Sequence, residues 1–109
     1  MGYKKGYLSE RDLKLKLEAD GWRVIRSGGS KKPDLIAGKA GKRMVIECKA
    51  TNNSTVYISE DEIVNLKEVA TAFGAVPIIA VKQKNKKWNF VDADKSTKVG
   101  KFFAVKNTD

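Results

Sequence analysis

Lys32-Pro33-Asp34-Leu35-Ile36-Ala37-Gly38, followed by Ile46-Glu47-Cys48-Lys49-Ala50, is the stretch that decides the fold. It reads as Pro-Asp, a spacer covering residues 35–46, and then Glu-x-Lys. Asp34 closes a turn, and Glu47 and Lys49 lie two apart on a strand, so they project from the same face. A hairpin between the two halves would carry Asp34 to their side. Two carboxylates can hold Mg²⁺, a hard cation that keeps water and phosphate as its remaining ligands. A neighbouring lysine can position or deprotonate a water, or neutralise phosphate charge. This is equipment for metal-assisted phosphodiester hydrolysis.

Outward from that stretch the chain alternates helical and strand signals. Residues 1–8 carry Lys4 and Lys5 and read as a basic N-terminal arm. Ser9 suits a helix N-cap, Leu13 and Leu17 form the buried stripe, and Gly21 ends the helix. Glu10 then falls in the first turn. Trp22 to Arg26 reads as a strand, Gly28 to Pro33 as a loop, Asp34 to Ala37 as a short strand, and Met44 to Lys49 as its return. Residues 51–54 read as a loop. Ser59 and Glu62 form a capping box for a second helix that stops at Gly74, with Ile63, Leu66, Ala70 and Phe73 as its core stripe. The apolar run Val76 to Val81 marks a central strand buried on both faces. Lys87 to Val91 is its neighbour, with Trp88 and Phe90 on one core face. The expected order is α-β-β-β-α-β-β: an α/β fold with a mixed sheet flanked by helices, one domain over residues 1–109, with residues 95–109 a tail of unassigned role.

Composition narrows the function. Lys+Arg 22 against Asp+Glu 13 gives a net charge of +9, which makes the chain a candidate nucleic-acid binder, although a lysine-rich solubilising surface would carry the same charge. The chain has no histidine and one cysteine, Cys48. That removes Ser-His and Cys-His nucleophile pairs, ordinary zinc sites and intramolecular disulfides. No apolar run would span a membrane, and the basic N-terminus lacks a following apolar segment, so a cytoplasmic protein is expected. Lys31 and Lys32, beside the proposed ion, suit phosphate contact. Cys48 alternates away from Glu47 and Lys49 and reads as a small core residue.

The element order, with Pro-Asp…Glu-x-Lys on the second and third strands, resembles the restriction-endonuclease-like superfamily of PD-(D/E)xK nucleases. Glu10-Arg11-Asp12-Leu13, Arg26-Ser27-Gly28-Gly29-Ser30-Lys31-Lys32-Pro33-Asp34, Ile46-Glu47-Cys48-Lys49, Phe73-Gly74 and Pro77 to Lys82 are similar to the archaeal Holliday junction resolvases, over roughly Tyr3 to Val91. The resemblance implies a homodimeric, Mg²⁺-dependent endonuclease acting on four-way DNA junctions in recombination, with Mn²⁺ as a substitute ion and no small-molecule cofactor. It implies Glu10, Asp34, Glu47 and Lys49 as the catalytic set. Asp34, Glu47 and the backbone carbonyl of Cys48 would ligate metal, with Glu10 joining directly or through water. Arg11, Arg26 and Ser30 would meet DNA phosphate, and Val69 and Phe73 would form the dimer contact. Cys48 departs from the aliphatic residue usual at that position, and the tail from Lys95 matches nothing in the family pattern.

Each residue has a plainer use. Pro-Asp is a common turn pair, Glu47 and Lys49 suit a solvated charge pair, and Glu10 suits a first-turn acid. Their coincidence favours the site. A nicking or repair nuclease for another DNA shape, and a non-catalytic DNA-binding module on the same fold, are the alternatives. Retention of all four catalytic-type residues argues against the second.

Overall fold

The structure, a computed structural model, describes residues 2–28, 33–53, 55–82 and 87–106, with side chains described from residue 10 to residue 105 of these. Helix α1 spans Gly2–Ala19. Strands β1 (Arg23–Arg26), β2 (Leu35–Lys39), β3 (Lys42–Ala50) and β4 (Thr55–Ser59) precede helix α2 (Glu60–Phe73). After it come β5 (Val76–Lys82), β6 (Trp88–Asp92), a 3-10 turn (Ala93–Lys95), β7 (Thr97–Val99) and β8 (Phe102–Lys106).

The larger sheet has the order β1-β2-β3-β5-β6. Its β3–β5 pair is parallel and the others antiparallel, which is the mixed sheet expected. β2 and β3 form a hairpin closed by Ala40 and Gly41, both at positive φ (47° and 83°). That is the twist-matched geometry of a two-residue turn, and it favours glycine at the second position. Leu13, Leu17, Val24, Leu35, Ala37, Ile46, Ile78, Ala80 and Trp88 form one buried cluster on the α1 side of the sheet. Val45, Ile79 and Val81 point the other way, into a cluster with Ile63, Leu66 and Ala70 of α2 and with Val56, Ile58 and Val105. β3 and β5 thus bury alternate residues on opposite faces, as a central strand must.

The capping box at Ser59 and Glu62 is present, and Gly74 ends α2 in the left-handed conformation at φ 63°. Three expectations need correction. Residues 2–8 are not an arm preceding the helix but its first turns, and Ser9 lies inside α1 instead of capping it. Each added helical residue brings a further hydrogen bond, and this outweighs the cost of glycines at positions 2 and 6. The order expected from the sequence also omits β4 and the C-terminal strands: β4-β8-β7 form a second antiparallel sheet, so the tail is structural up to Lys106. Finally, Phe73 and Phe90 lie at the rim, 55% and 40% exposed, and not in the core. Trp88, on the same strand face as Phe90, is buried as expected.

Candidate active site

The site forms where β2 stops short of β3. The last paired residues at that end are Leu35 and Ile46. Among the described residues β3 continues to Ala50 against β5 alone, so none of them forms a strand along its outer edge from Glu47 onward. One further step of the antiparallel register sets Asp34 opposite Glu47, and opposed residues share a face. The Asp34 carboxylate caps the open edge by accepting the Cys48 backbone N–H at 2.7 Å. Asp34 is tied on its other side to the end of β1. The Ser27 N–H donates to the Asp34 carbonyl at 3.0 Å, and the Ser27 hydroxyl donates to the Pro33 carbonyl.

Strand alternation sorts the Glu-x-Lys side chains. Cys48 packs against the α1-side cluster, while Glu47 and Lys49 share the opposite face, beneath the start of α2. The Lys49 Nζ lies 3.7 Å from Glu47 Oε2 and 2.8 Å from Glu62 Oε2. Glu10, on α1, completes the group. It interacts with the Asp34 carboxyl, and its Oε1 accepts from Arg26 Nη2 at 3.4 Å. Four elements therefore converge on one edge: α1 (Glu10), the β1 end (Arg26), the β2–β3 hairpin (Asp34, Glu47, Lys49) and α2 (Glu62).

Burial and crowding of like charge set the protonation states. Burial pushes the Asp34 carboxyl up to about 6, and the Glu10 charge adds to the rise, while the Cys48 N–H and the Lys49 ammonium hold it back. Burial likewise pushes Glu47 up to about 8, reinforced by the Asp34 charge and opposed by Lys49. The Cys48 thiol is pushed up by burial and then by the neighbouring carboxylates, so it is neutral at neutral pH and unsuited to nucleophilic work. For Lys49, burial disfavours the ammonium, but the Glu62 hydrogen bond and the charges of Glu62 and Glu47 outweigh it and hold the pKa above the ordinary value. Lys49 is therefore a cation at neutral pH, equipped to orient water or offset developing negative charge.

Asp34 and Glu47 are partly buried carboxyls, each pushed up by burial and by a neighbouring carboxylate, Glu10 for Asp34 and chiefly Asp34 for Glu47, a crowding that a divalent cation would relieve. Among the described residues, no three carboxylate, thiol or imidazole side chains come close enough together to enclose an ion. Mg²⁺ seldom requires such a cage: one or two carboxylates, water and substrate phosphate complete its shell. The Cys48 carbonyl leaves the strand by the same edge as its N–H, since one residue's two polar groups face the same neighbour. The donor set at this edge fits a hard cation.

The structure brings Glu10, Asp34, Glu47, Lys49 and Arg26 together. Arg11 is exposed on α1 one residue from Glu10. Lys4 and Lys5 lie on the first turns of α1, with side chains outside the described residues, and Ser30, Lys31 and Lys32 lie wholly outside them. Phe73 is exposed at the end of α2, but Val69 is half-buried against the α2-side cluster and does not point clear of the core. Glu62 is the site residue that sequence reasoning missed. It was legible only as a capping partner of Ser59, because its approach to Lys49 depends on how α2 crosses β3. No helix among the described residues is long and apolar enough to cross a membrane.

Comparison with known proteins accords with this fold. The profile of the archaeal Holliday junction resolvase (Hjc) family matches residues 1–108. The crossover junction endodeoxyribonuclease Hjc of Methanocaldococcus jannaschii is 44% identical over 80 residues, 73% of this chain and 60% of the relative, so the chain aligns with less than two thirds of that protein's length. The crossover junction endodeoxyribonuclease Hjc of Archaeoglobus fulgidus is 34% identical over 106 residues, 93% of this chain and 78% of the relative. The solved structure of Archaeoglobus fulgidus Hjc, a Holliday junction resolvase, superposes with a TM-score of 0.88 at 30% identity, covering 92% of this chain and 87% of that one. Nucleases of this kind depend on a metal ion. With the profile matched almost from end to end and the mixed sheet shared with a solved member, this chain belongs to the archaeal Holliday junction resolvase family of DNA endonucleases.

Proposed function

We propose that this chain hydrolyses phosphodiester bonds at four-way DNA junctions, using Mg²⁺ held at the Asp34–Glu47 edge. The observation that carries the reading is the meeting of Glu10 from α1 with Asp34 and Glu47 from the β2–β3 hairpin, beside Lys49, at the outer edge of β3 that β2 leaves open. Asp34, Glu47 and the Cys48 carbonyl would hold the ion, with Glu10 joining directly or through water. When bound, the ion supplies Lewis-acid polarisation of the scissile phosphate and a more acidic water. Lys49, kept as an ammonium, orients the attacking water and offsets charge growing on the phosphoryl oxygens. Arg26 holds Glu10 in place, and Arg11 and Arg26, with Ser30, Lys31 and Lys32 from the preceding loop and Lys4 and Lys5, meet the DNA backbone. Most of the affinity is then phosphate neutralisation, and junction preference comes from backbone geometry.

The reading includes a homodimer. A two-fold assembly would present two sites to a two-fold junction and nick opposed strands. The exposed Phe73, with Val69 one turn before it, supplies an apolar patch for that contact. The test compares cleavage of four-way, Y-shaped and linear duplex DNA with Mg²⁺. The reading predicts paired nicks in the four-way substrate and little cleavage of linear duplex. Equal cleavage of all three would replace it with a less selective nuclease.

A further inference from the structure

Glu62 stands outside the Pro-Asp…Glu-x-Lys pattern, yet its carboxylate joins two parts of the molecule. One oxygen, Oε1, is engaged by the Ser59 hydroxyl at 3.2 Å and the Ser59 backbone N–H at 3.4 Å. In return the Ser59 hydroxyl accepts the Glu62 N–H. The other oxygen, Oε2, accepts from Lys49 Nζ at 2.8 Å. The carboxylate is thus fixed at one end by the cap of α2 and grips Lys49 with the other. Among the described residues, only Glu47, at 3.7 Å, also stands at ion-pair distance from that ammonium.

From this geometry we infer that Glu62 is a positioning residue for cleavage: it holds the Lys49 ammonium over the scissile phosphate. The inference rests on the role given to Lys49 above. Its physical basis is what happens when a divalent cation engages Glu47. The carboxylate nearest Lys49 along the strand is then largely neutralised, and a cation of the same sign as the ammonium stands beside it. Like charges repel, so Lys49 would swing toward solvent unless a second anion held it. Glu62 is that anion, on a different element and anchored independently. Because the pair is only partly shielded from water, with the Lys49 side chain 27% and the Glu62 side chain 41% exposed, its contribution to fold stability is modest. Its effect lies in where the ammonium sits.

Glu62→Gln separates the two functions of the side chain. Glutamine also serves in a capping box, so the cap survives while the charge facing Lys49 is lost. Expected are an unchanged melting temperature, junction affinity within about twofold of the parent in metal-free buffer, and a single-turnover cleavage rate with Mg²⁺ lowered about tenfold or more. A second readout needs no metal. In the metal-free ¹⁵N-labelled protein, the Lys49 ε-ammonium signal, shielded from exchange by the Glu62 carboxylate, is present in the parent and lost in Glu62→Gln. Parent-like cleavage and an intact ammonium signal in Glu62→Gln, with Lys49→Met inactive, would overturn the inference while leaving the site reading standing. A rate loss accompanied by a fall in melting temperature would also overturn it, reducing Glu62 to a cap. Full cleavage by Lys49→Met would instead bring down the site reading itself.

Discussion

Glu47→Gln is expected to abolish cleavage and, in the absence of metal, to make the protein more stable at alkaline pH. Glu47 is pushed from an ordinary 4.5 to about 8 in the folded chain, first by burial and then by Asp34. Below about pH 4.5 the carboxyl is protonated in both folded and unfolded states and costs nothing. Between about 4.5 and 8 the folded state keeps a proton that the unfolded state has released, so stability falls as pH rises, by about 1.36 kcal/mol per pH unit, and levels off above about 8. That range sets a ceiling of about 5 kcal/mol on the penalty carried by the parent at pH 9, a large share of the roughly 5–15 kcal/mol typical of a small domain. Glutamine has nearly the same shape and no charge to bury, and so escapes it. The assay is urea unfolding of parent and variant with chelator present, from pH 4.5 to 9.5. The two curves should coincide near pH 4.5 and diverge in the variant's favour toward pH 9. Adding Mg²⁺ at pH 9 should raise the parent and leave the variant unmoved. A variant equal to the parent or less stable at pH 9 would refute the claim that Glu47 is held against its own ionisation.

Two further outcomes follow from the proposed DNA contacts and dimer. Junction affinity should fall steeply with salt, and removing the Lys4/Lys5 or Lys31/Lys32 pair should flatten the log–log slope by about two, about one for each phosphate no longer neutralised; a slope unchanged in both double variants would leave these lysines as mere solubilisers. Val69→Lys, and Phe73→Lys at less cost to the fold because Phe73 is already exposed, should give folded monomers that cannot make paired nicks in one encounter, whereas a parent that sediments as a monomer at tens of micromolar (roughly the range of a modest interface) would remove the dimer.

What was legible in the sequence was written in local signals. Ser59 with Glu62, and Gly74 at the end of α2, are matched in the structure by a capping box and a left-handed cap. The apolar run of β5 is an inner strand, paired on both sides and buried from Ile78 to Val81. Spacing within one strand also foretold that Glu47 and Lys49 would share a face and that Cys48 would turn from them. The misses arose where a local signal was weak or outvoted. Ser9 is a good cap residue, but the turns before it are helical too, so its cap signal was never used. β4 and β8 are short strands, each with one buried side, and neither is stable without the other. Val56 and Ile58 meet Val105 and Phe103 across the ladder, a pairing between residues about fifty apart that periodicity cannot report. The same holds for Glu62 and Lys49. Sequence exposes each residue's own chemistry, but which cation a carboxylate grips depends on packing.

Asp34→Asn bears most directly on the central claim that the edge of β3 is the hydrolytic centre. The substitution keeps the side chain's size and an oxygen able to accept the Cys48 N–H, and it removes only the charge offered to the cation. Single-turnover cleavage and junction binding would be measured side by side on one four-way substrate. Loss of cleavage with Mg²⁺ across the pH range, with junction affinity at or slightly above the parent's, is the predicted result. Parent-like cleavage by Asp34→Asn would place the hydrolytic centre elsewhere on the molecule.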